Sequence, residues 1–323
     1  MTGSIRVAIV GCGYASRQNV EAIALAGGGS IAAVVDKDTT RAGELARLTG
    51  APARCLESVL HDASIDAVCI CTPPETHASI AIAALRAGKG VVVEKPVART
   101  NRELDSIQDA AAASTAPVVA MLQHRGRLPD AVLRAAWSSD AVATLEVVRP
   151  RALQHYASEP WRLDPGASGG GHVAHLGVHF LDLACQLLGT PARVAGLTSC
   201  RDVSGIETRA ALGVQFVDGG LMTVLASAHP GRHSERLHVI DADHELIVDD
   251  RGTEYRVDGV AQRWDAPSTA HLRAAVYTEL WAAVRREAPP DRYAIARARG
   301  VTAILEDVRK IAAEEPVLCA SVS

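Results

Sequence analysis

The sequence predicts an α/β protein: an N-terminal doubly wound parallel sheet, followed by a C-terminal α/β domain with a large, mostly antiparallel open sheet. Three observations lead there. Up to about residue 122, short β-branched runs alternate with helical stretches; a glycine-rich loop directly follows the first run; and beyond residue 122, strand-like runs succeed one another across Asp-Gly and similar pairs. The expected division is 1–122 for the first domain and 123–323 for the second.

The strand candidates of the first half are Ile5 to Val10, Ile31 to Val35, Ala67 to Cys71, Val91 to Val93 and Val118 to Met121. They are continuously apolar rather than alternating, as in a parallel sheet covered on both faces. Between them, Ala15 to Ala26, Thr39 to Thr49, His77 to Ala87 and Asn101 to Ala113 have the length and alanine content of helices. The second half brings a helix near Pro129 to Trp137, a strand near Ala143 to Arg149, and a helix from about Val173 to Leu188. Six strand-like runs follow between Val194 and Val257, broken by Asp218-Gly219, Arg251-Gly252 and Asp258-Gly259, which are hairpin signals. Helices over about Ala270 to Arg286 and Tyr293 to Ala313 close the chain.

Composition narrows the function classes. With 323 residues, 33 basic against 37 acidic side chains and a net charge of −4, the chain does not have the basic surplus of a nucleic-acid or anionic-membrane binder. No apolar run approaches the roughly 20 residues that span a bilayer, and the opening MTGSIRVAIV lacks the basic and apolar regions of a secretory leader, so the expectation is a soluble, cytoplasmic protein. Seven cysteines without CxxC spacing read as reduced, mostly buried thiols. Only four of the 33 cations are lysines, Lys37, Lys89, Lys95 and Lys310, a skew that GC-rich coding produces.

Three clusters carry chemistry. Gly11-Cys12-Gly13-Tyr14-Ala15-Ser16 runs from the first strand into a helix. In such a loop the first glycine permits the turn, the second lets a pyrophosphate approach the backbone, and a small residue in place of the third allows helix and strand to pack closely. Asp36 ends the second strand 20 residues after Ser16, where a carboxylate bonds the ribose hydroxyls of NAD. Asp36 favours NAD, whereas Lys37 and Arg41 leave NADP open. Cys71-Thr72-Pro73-Pro74-Glu75-Thr76-His77 and Glu94-Lys95-Pro96 fall at the carboxyl ends of later strands, where doubly wound sheets bind ligands. Lys95-Pro96 is a candidate cis bond, and Glu94-Lys95 reads equally as a site element or a solvated ion pair.

The third cluster runs from Ser168 to Asp182. On one straight helix, His172, His175, His179 and Asp182, spaced 3, 4 and 3 apart, share a face. They would spread over about 15 Å, too far to close one tetrahedral metal shell, so no metal is expected. An acid/base role for at least one histidine is the main reading and a structural set the other. Gln123, His124 and Arg125 after the last strand of the first half, and His155, Trp161, Arg162 and Asp164 before the glycine run, are further polar residues of the expected cleft. Trp161 with Arg162 reads either as a sugar-stacking pair or as a packed surface loop. His61, His233, His238 and His244 read as solvated or satisfied.

Taken together, Gly11 to Ser16, Asp36, the C-T-P-P-x-x-H segment, E-K-P and the G-x-H-x-x-D run resemble the glucose-fructose oxidoreductase/inositol dehydrogenase/rhizopine-catabolism (Gfo/Idh/MocA) family over nearly the whole chain. The resemblance implies a Rossmann domain, a second domain whose open sheet forms a homodimer or homotetramer, and hydride transfer between NAD (or NADP) and a sugar-like alcohol or ketone. It implies that Lys95 is the active-site lysine and His179 the acid/base. It places Thr72, Pro73, His77 and Glu94 at the cofactor; with Lys95 and the residues read from the loop and second strand, Gly11, Gly13, Tyr14, Ala15, Ser16, Asp36 and Lys37, they are the cofactor candidates. The substrate candidates, read from the expected cleft, are Gln123, Arg125, Trp161, Arg162, His175 and His179, and His175 is a further catalytic candidate beside Lys95 and His179. His175 stands where many polyol dehydrogenases of the family carry Asp, which argues against simple inositol oxidation. A redox-assisted glycosidase and a catalytically silent NAD-sensing regulator share this fold and stay open as alternatives.

Overall fold

A computed structural model describes residues 3–199, 206–228, 231 and 233–314. Cys200 and Cys319 lie outside this range. The described residues form two compact units, one built from those up to Gln123 with Ser268–Ala298, the other from those within His124–Pro267 and from Arg299 to Glu314.

The first unit holds a five-stranded sheet in the order β2-β1-β3-β4-β5, every pair parallel. Its strands are β1 (Ile5–Val10), β2 (Gly29–Val35), β3 (Ala67–Ile70), β4 (Gly90–Val93) and β5 (Val118–Ala120). β3 and β4 are buried at every position, which accounts for their uninterrupted apolar sequence. The connecting helices are α1 (Tyr14–Ala26), α2 (Thr39–Thr49), the short α3 (Leu56–His61), α4 (His77–Arg86) and α5 (Asn101–Ser114). Local caps start α2 and α5: Asp38 accepts from the N–H groups of Thr40 and Arg41, and Thr100 from that of Glu103. The order 2-1-3 puts the switch in strand direction of winding at the carboxyl ends of β1 and β3, where such sheets hold ligands.

Residues 268–298, counted with the C-terminal domain in the sequence reading, belong to this first unit. The reason is apolar: Val276, Tyr277, Leu280 and Trp281 of α10 (Thr269–Val284, after the elements of the second unit below) join the core formed by Ile5, Val7, Ile9, Ile23 and Val34. Trp281 Nε1 also donates to the Gly27 carbonyl at 2.9 Å.

The second unit contains an eight-stranded sheet in the order β13-β12-β11-β10-β6-β9-β8-β7, antiparallel except for the parallel pair β6 and β9. The strands are β6 (Val142–Val148), β7 (Pro191–Ser199), β8 (Arg209–Phe216), β9 (Leu221–Ser227), β10 (Ser234–Ile240), β11 (His244–Asp249), β12 (Gly252–Val257) and β13 (Val260–Asp265). The predicted turns at Asp218-Gly219 and Asp258-Gly259 fall between adjacent strands, and Arg251-Gly252 spans the end of a turn and the first residue of β12. β13 went unpredicted because it is exposed at every position and carries no alternation. Strict alternation in β8 buries Ala210, Leu212, Val214 and Phe216, on the face covered by α9 (Val178–Leu188) and α11 (Arg299–Glu314). The other face is open. Shorter helices, α6 (Asp130–Leu133), α7 (Leu153–Ala157) and α8 (Pro165–Ser168), precede α9. α6 is much shorter than the predicted Pro129 to Trp137. Among the described residues no helix is long and apolar enough to cross a membrane.

Candidate functional site

In the first unit, the cofactor candidates gather at the carboxyl ends of β1 to β4. Gly11 has φ +93, and a Cβ there would lie 2.6 Å from the Cys71 carbonyl carbon, so only glycine lets this loop lie against the end of β3. Gly13 differs: it precedes α1 with φ −81, and a Cβ would meet nothing within 4 Å. The chain's own packing does not demand glycine there, and the space beside it is open to an external group. No side chain caps α1, so its start offers backbone N–H groups and the positive end of the helix dipole to an anion. Ser16 is buried and donates to the Gly13 carbonyl at 2.6 Å, closing the turn, while Tyr14 is 75% exposed beside it. Asp36 accepts from the Cys12 N–H at 2.6 Å and from the Asp38 N–H at 2.9 Å, which fixes its carboxylate at the end of β2. Lys37 is exposed, and Arg41 lies 3.4 Å from Asp38. These residues fit a dinucleotide.

The next layer is a frame. Lys95-Pro96 is cis. The buried His77 ring has Nδ1 2.8 Å from the Pro96 carbonyl and Nε2 2.8 Å from the Thr72 carbonyl, stapling the loop after β3 to the loop after β4. Burial holds this imidazole below its ordinary range, against the two carbonyls. Thr72 accepts from the Thr76 hydroxyl at 2.7 Å, and Pro73 leads into a short 3₁₀ turn. Glu94 faces inward rather than into solvent, so the solvated-pair reading fails. Its carboxylate meets Arg273 at 2.5 Å and accepts from Asn19 at 3.0 Å, and the Tyr277 hydroxyl donates to Asn19 at 2.7 Å. Burial pushes the Glu94 carboxyl up, but Arg273 and Asn19 outweigh it and hold it below the usual carboxylate range. Lys95, half-buried, follows directly. Asn19 and Arg273 were not legible as partners of Glu94, nor Tyr277 as a partner of Asn19, since Arg273 lies 179 residues from Glu94 and Tyr277 lies 258 from Asn19.

In the second unit the predicted straight histidine helix is broken. Residues Val173–Gly177 form a π-helical turn before α9. Its i→i+5 bonding offsets the 3-4-3 spacing, and such turns recur at functional sites. The four residues accordingly meet four different partners. His172 is buried with Nδ1 3.2 Å from the Tyr156 hydroxyl, and His175 Nε2 lies 3.0 Å from His155 Nε2, both partners belonging to α7. His179 stacks on His124 with ring centroids 4.4 Å apart, and Asp182 takes both arms of Arg125 at 2.7 and 2.8 Å. Arg125, expected at the substrate, is instead 1% exposed and bound to Asp182; the buried carboxylate is what draws the guanidinium inward. Gln123 is buried in the first unit. Arg162 donates to the His155 carbonyl at 2.8 Å and lies over the Trp161 ring at 5.2 Å, supporting α7. His61, His233, His238 and His244 each meet a backbone carbonyl or a carboxylate.

Sequence reasoning missed Glu207. It is 1% exposed, and its carboxylate accepts from the N–H groups of Gly171 at 2.7 Å and Val173 at 3.0 Å. Burial is the larger influence and pushes its carboxyl up to about 7, against these N–H groups and Arg309.

A parallel sheet with an anion-ready glycine loop, followed in the chain by an open-sheet unit bearing a histidine helix, is the make-up of a two-part dinucleotide-binding protein. Residues 5–122 match the model of the oxidoreductase family with an NAD-binding Rossmann fold, and residues 132–243 that of the GFO/IDH/MocA C-terminal domain. The chain belongs to the Gfo/Idh/MocA family. It is 30% identical over 147 residues to the levoglucosan dehydrogenase of Pseudarthrobacter phenanthrenivorans, covering 44% of this chain and 38% of that protein. It is 29% identical over 236 residues to the 1,5-anhydro-D-fructose reductase of Ensifer adhaerens, covering 69% and 68% respectively. Its fold is similar to that of the WlbA dehydrogenase from Bordetella pertussis in complex with NADH and UDP-GlcNAcA, with TM-score 0.81, 18% identity and coverage of 97% and 96%.

Two predictions follow from the geometry. Gly13→Ala is expected to leave the thermal midpoint within a few degrees of native while weakening NADH binding at least tenfold, whereas Gly11→Ala, at a positive φ against the backbone of β3, lowers the midpoint itself; calorimetry and NADH titration separate the two. For Glu207, the folded chain holds the proton more tightly than the unfolded chain does. Its contribution to stability is therefore fully present below about pH 4.5 and is lost as pH rises through about 7. Urea unfolding at pH 5 and pH 8 checks this: the native chain loses up to about 3 kcal/mol more than Glu207→Gln between the two.

Proposed function

We propose that the chain is an NAD-dependent oxidoreductase that transfers a hydride between the nicotinamide and a hydroxyl or keto carbon of a sugar, aminosugar, nucleotide sugar or cyclitol. The observation that carries the reading is the uncapped start of α1 behind Gly13, with Asp36 at the end of the neighbouring strand. A carboxylate at that place bonds ribose hydroxyls and repels a 2′-phosphate, which supports NAD over NADP.

When bound, the nicotinamide donates or accepts the hydride. The chain's part is position and proton traffic. In oxidation, neutral His179 takes the hydroxyl proton and the Lys95 ammonium stabilises the charge developing on oxygen; in reduction, protonated His179 returns that proton while the Lys95 ammonium polarises the carbonyl oxygen. Arginine in place of Lys95 would spread the charge over a planar fork instead of presenting it at one point. His175, hydrogen-bonded to His155, is assigned to the substrate with Trp161.

A turnover screen of keto and hydroxy sugars, nucleotide-linked and amino forms included, with NADH and NADPH in parallel, tests the reading. NADH is expected to be consumed or formed stoichiometrically with one sugar class and to outperform NADPH. His179→Ala and Lys95→Ala are expected to lose about 10²- to 10⁴-fold in kcat. Normal turnover in both variants would refute the assignment.

The open face of the second sheet, where Val142, Leu197, Leu221 and Leu225 are exposed, is our proposed surface for a homodimer or homotetramer. Sedimentation should show an oligomer that Leu221→Glu with Leu225→Glu converts to monomer; an unchanged profile excludes this face.

A further inference from the structure

The start of the histidine helix poses a problem that its own sequence does not solve. The first N–H groups of any helix lack partners within it, and here no local cap is present: His172 precedes the π turn, makes no capping bond, and the residues before it are glycines. Three successive N–H groups nonetheless have acceptors, all on one residue from the entry to β8. Glu207 Oε2 accepts from Gly171 at 2.7 Å, its backbone carbonyl from His172 at 2.8 Å, and its Oε1 from Val173 at 3.0 Å. The approach is so close that a Cβ on Gly171 would fall 2.5 Å from Glu207 Oε2 and 2.2 Å from its carbonyl oxygen, so the glycine is required by this carboxylate. On the far side of the glycine run, Arg309 of α11 donates to the Gly169 carbonyl at 2.9 Å.

We propose that Glu207 is the positioning residue of the histidine helix, clamping its first turn to the sheet so that His175 and His179, two and six residues beyond Val173, are presented at one fixed height and rotation. A carboxylate binding two N–H groups fixes both position and direction, which a single hydrogen bond does not. The π turn makes such a clamp necessary, because its wider bonding can slide by one residue toward the regular α form, and that slip would swing both imidazoles around the helix axis. Charged groups around the clamp come from three elements: Tyr156 and His172 meet beside it, Arg309 reaches it from α11, and burial keeps the Tyr156 phenol protonated, at about 12. Glu207 touches no substrate in this assignment; it acts through the helix.

The consequence for activity rests on the reading of His179 as acid/base, so the experiment has a substrate-free arm. Hydrogen exchange of the intact chain, followed by mass spectrometry, is expected to show Glu207→Ala raising exchange in peptides covering residues 170–180 at least tenfold, with peptides of β1 to β5 unchanged. Glu207→Gln, which keeps one acceptor oxygen and the side chain's shape, is expected to restore most of the protection. In turnover, Glu207→Ala is expected to lower kcat about 10- to 100-fold with the KM for NADH unchanged, and Glu207→Gln to recover at least part of it. Exchange over 170–180 within twofold of native in Glu207→Ala overturns the proposal, as does a rise spread evenly over the whole second unit. Should Glu207→Ala fail to fold, the same two readouts on Glu207→Gln and Glu207→Asp decide it. If His179→Ala keeps normal turnover while Glu207→Ala still loosens 170–180, the acid/base reading falls and the clamp stands.

Discussion

The free N–H groups at the start of a helix must find acceptors, and the rest of this structure is arranged around how two helices meet that requirement. α2, α5, α8 and α10 use a local Asp, Thr or Ser as cap. α1 shares the lack of a side-chain cap with α3, α4, α6 and α7, but alone among these it follows a glycine, with open space where a side chain would be. The histidine helix has none locally either, but a buried carboxylate from across the unit closes it. One start is left for an anionic ligand and the other is sealed by the chain itself. That contrast separates the part of the protein that binds a cofactor from the part that holds protonatable side chains still.

What was legible in the sequence follows from the range of the interactions. The first-unit strands and the three hairpin turns are written in runs of neighbouring residues, and each lies within a few residues of its expected place. The glycine loop is equally local, because its spacing is itself the chemistry. The interactions that shape the site are not local. Glu207 meets Gly171 across 36 residues, Arg125 meets Asp182 across 57, and Arg273 meets Glu94 across 179. No period or motif announces such pairs. The π turn was invisible for another reason: its residues carry an ordinary helical pattern, with no local signal that marks the wider turn.

The buried ion pairs repay comparison with the surface ones. Arg17 with Glu44 or Lys310 with Asp307 sit in water, and pairs of that kind contribute about 0–1 kcal/mol. Arg125–Asp182 and Arg273–Glu94 are almost wholly buried, where desolvation offsets much of the attraction. Their use is better sought in geometry than in stability. Arg273–Glu94 ties the E-K-P loop to α10, and Arg125–Asp182 ties α9 to the segment carrying His124.

The positions of the two pairs then bear on the chemistry. Lys95 follows Glu94 directly, and its own backbone N–H lies 3.2 Å from the Glu94 carboxylate. His179 sits three residues before Asp182, about one helical turn along the same helix, with its ring stacked on the His124 that neighbours Arg125. Lys95 and His179 thus each lie on the chain close to a carboxylate that a buried arginine holds in place. A lysine or histidine bonded directly to a free carboxylate would have its proton affinity raised. The arginine opposite each carboxylate takes up much of its charge, so E-K-P and H-x-x-D set an acid beside a base while the acid's position is fixed by a buried ion pair on its other side.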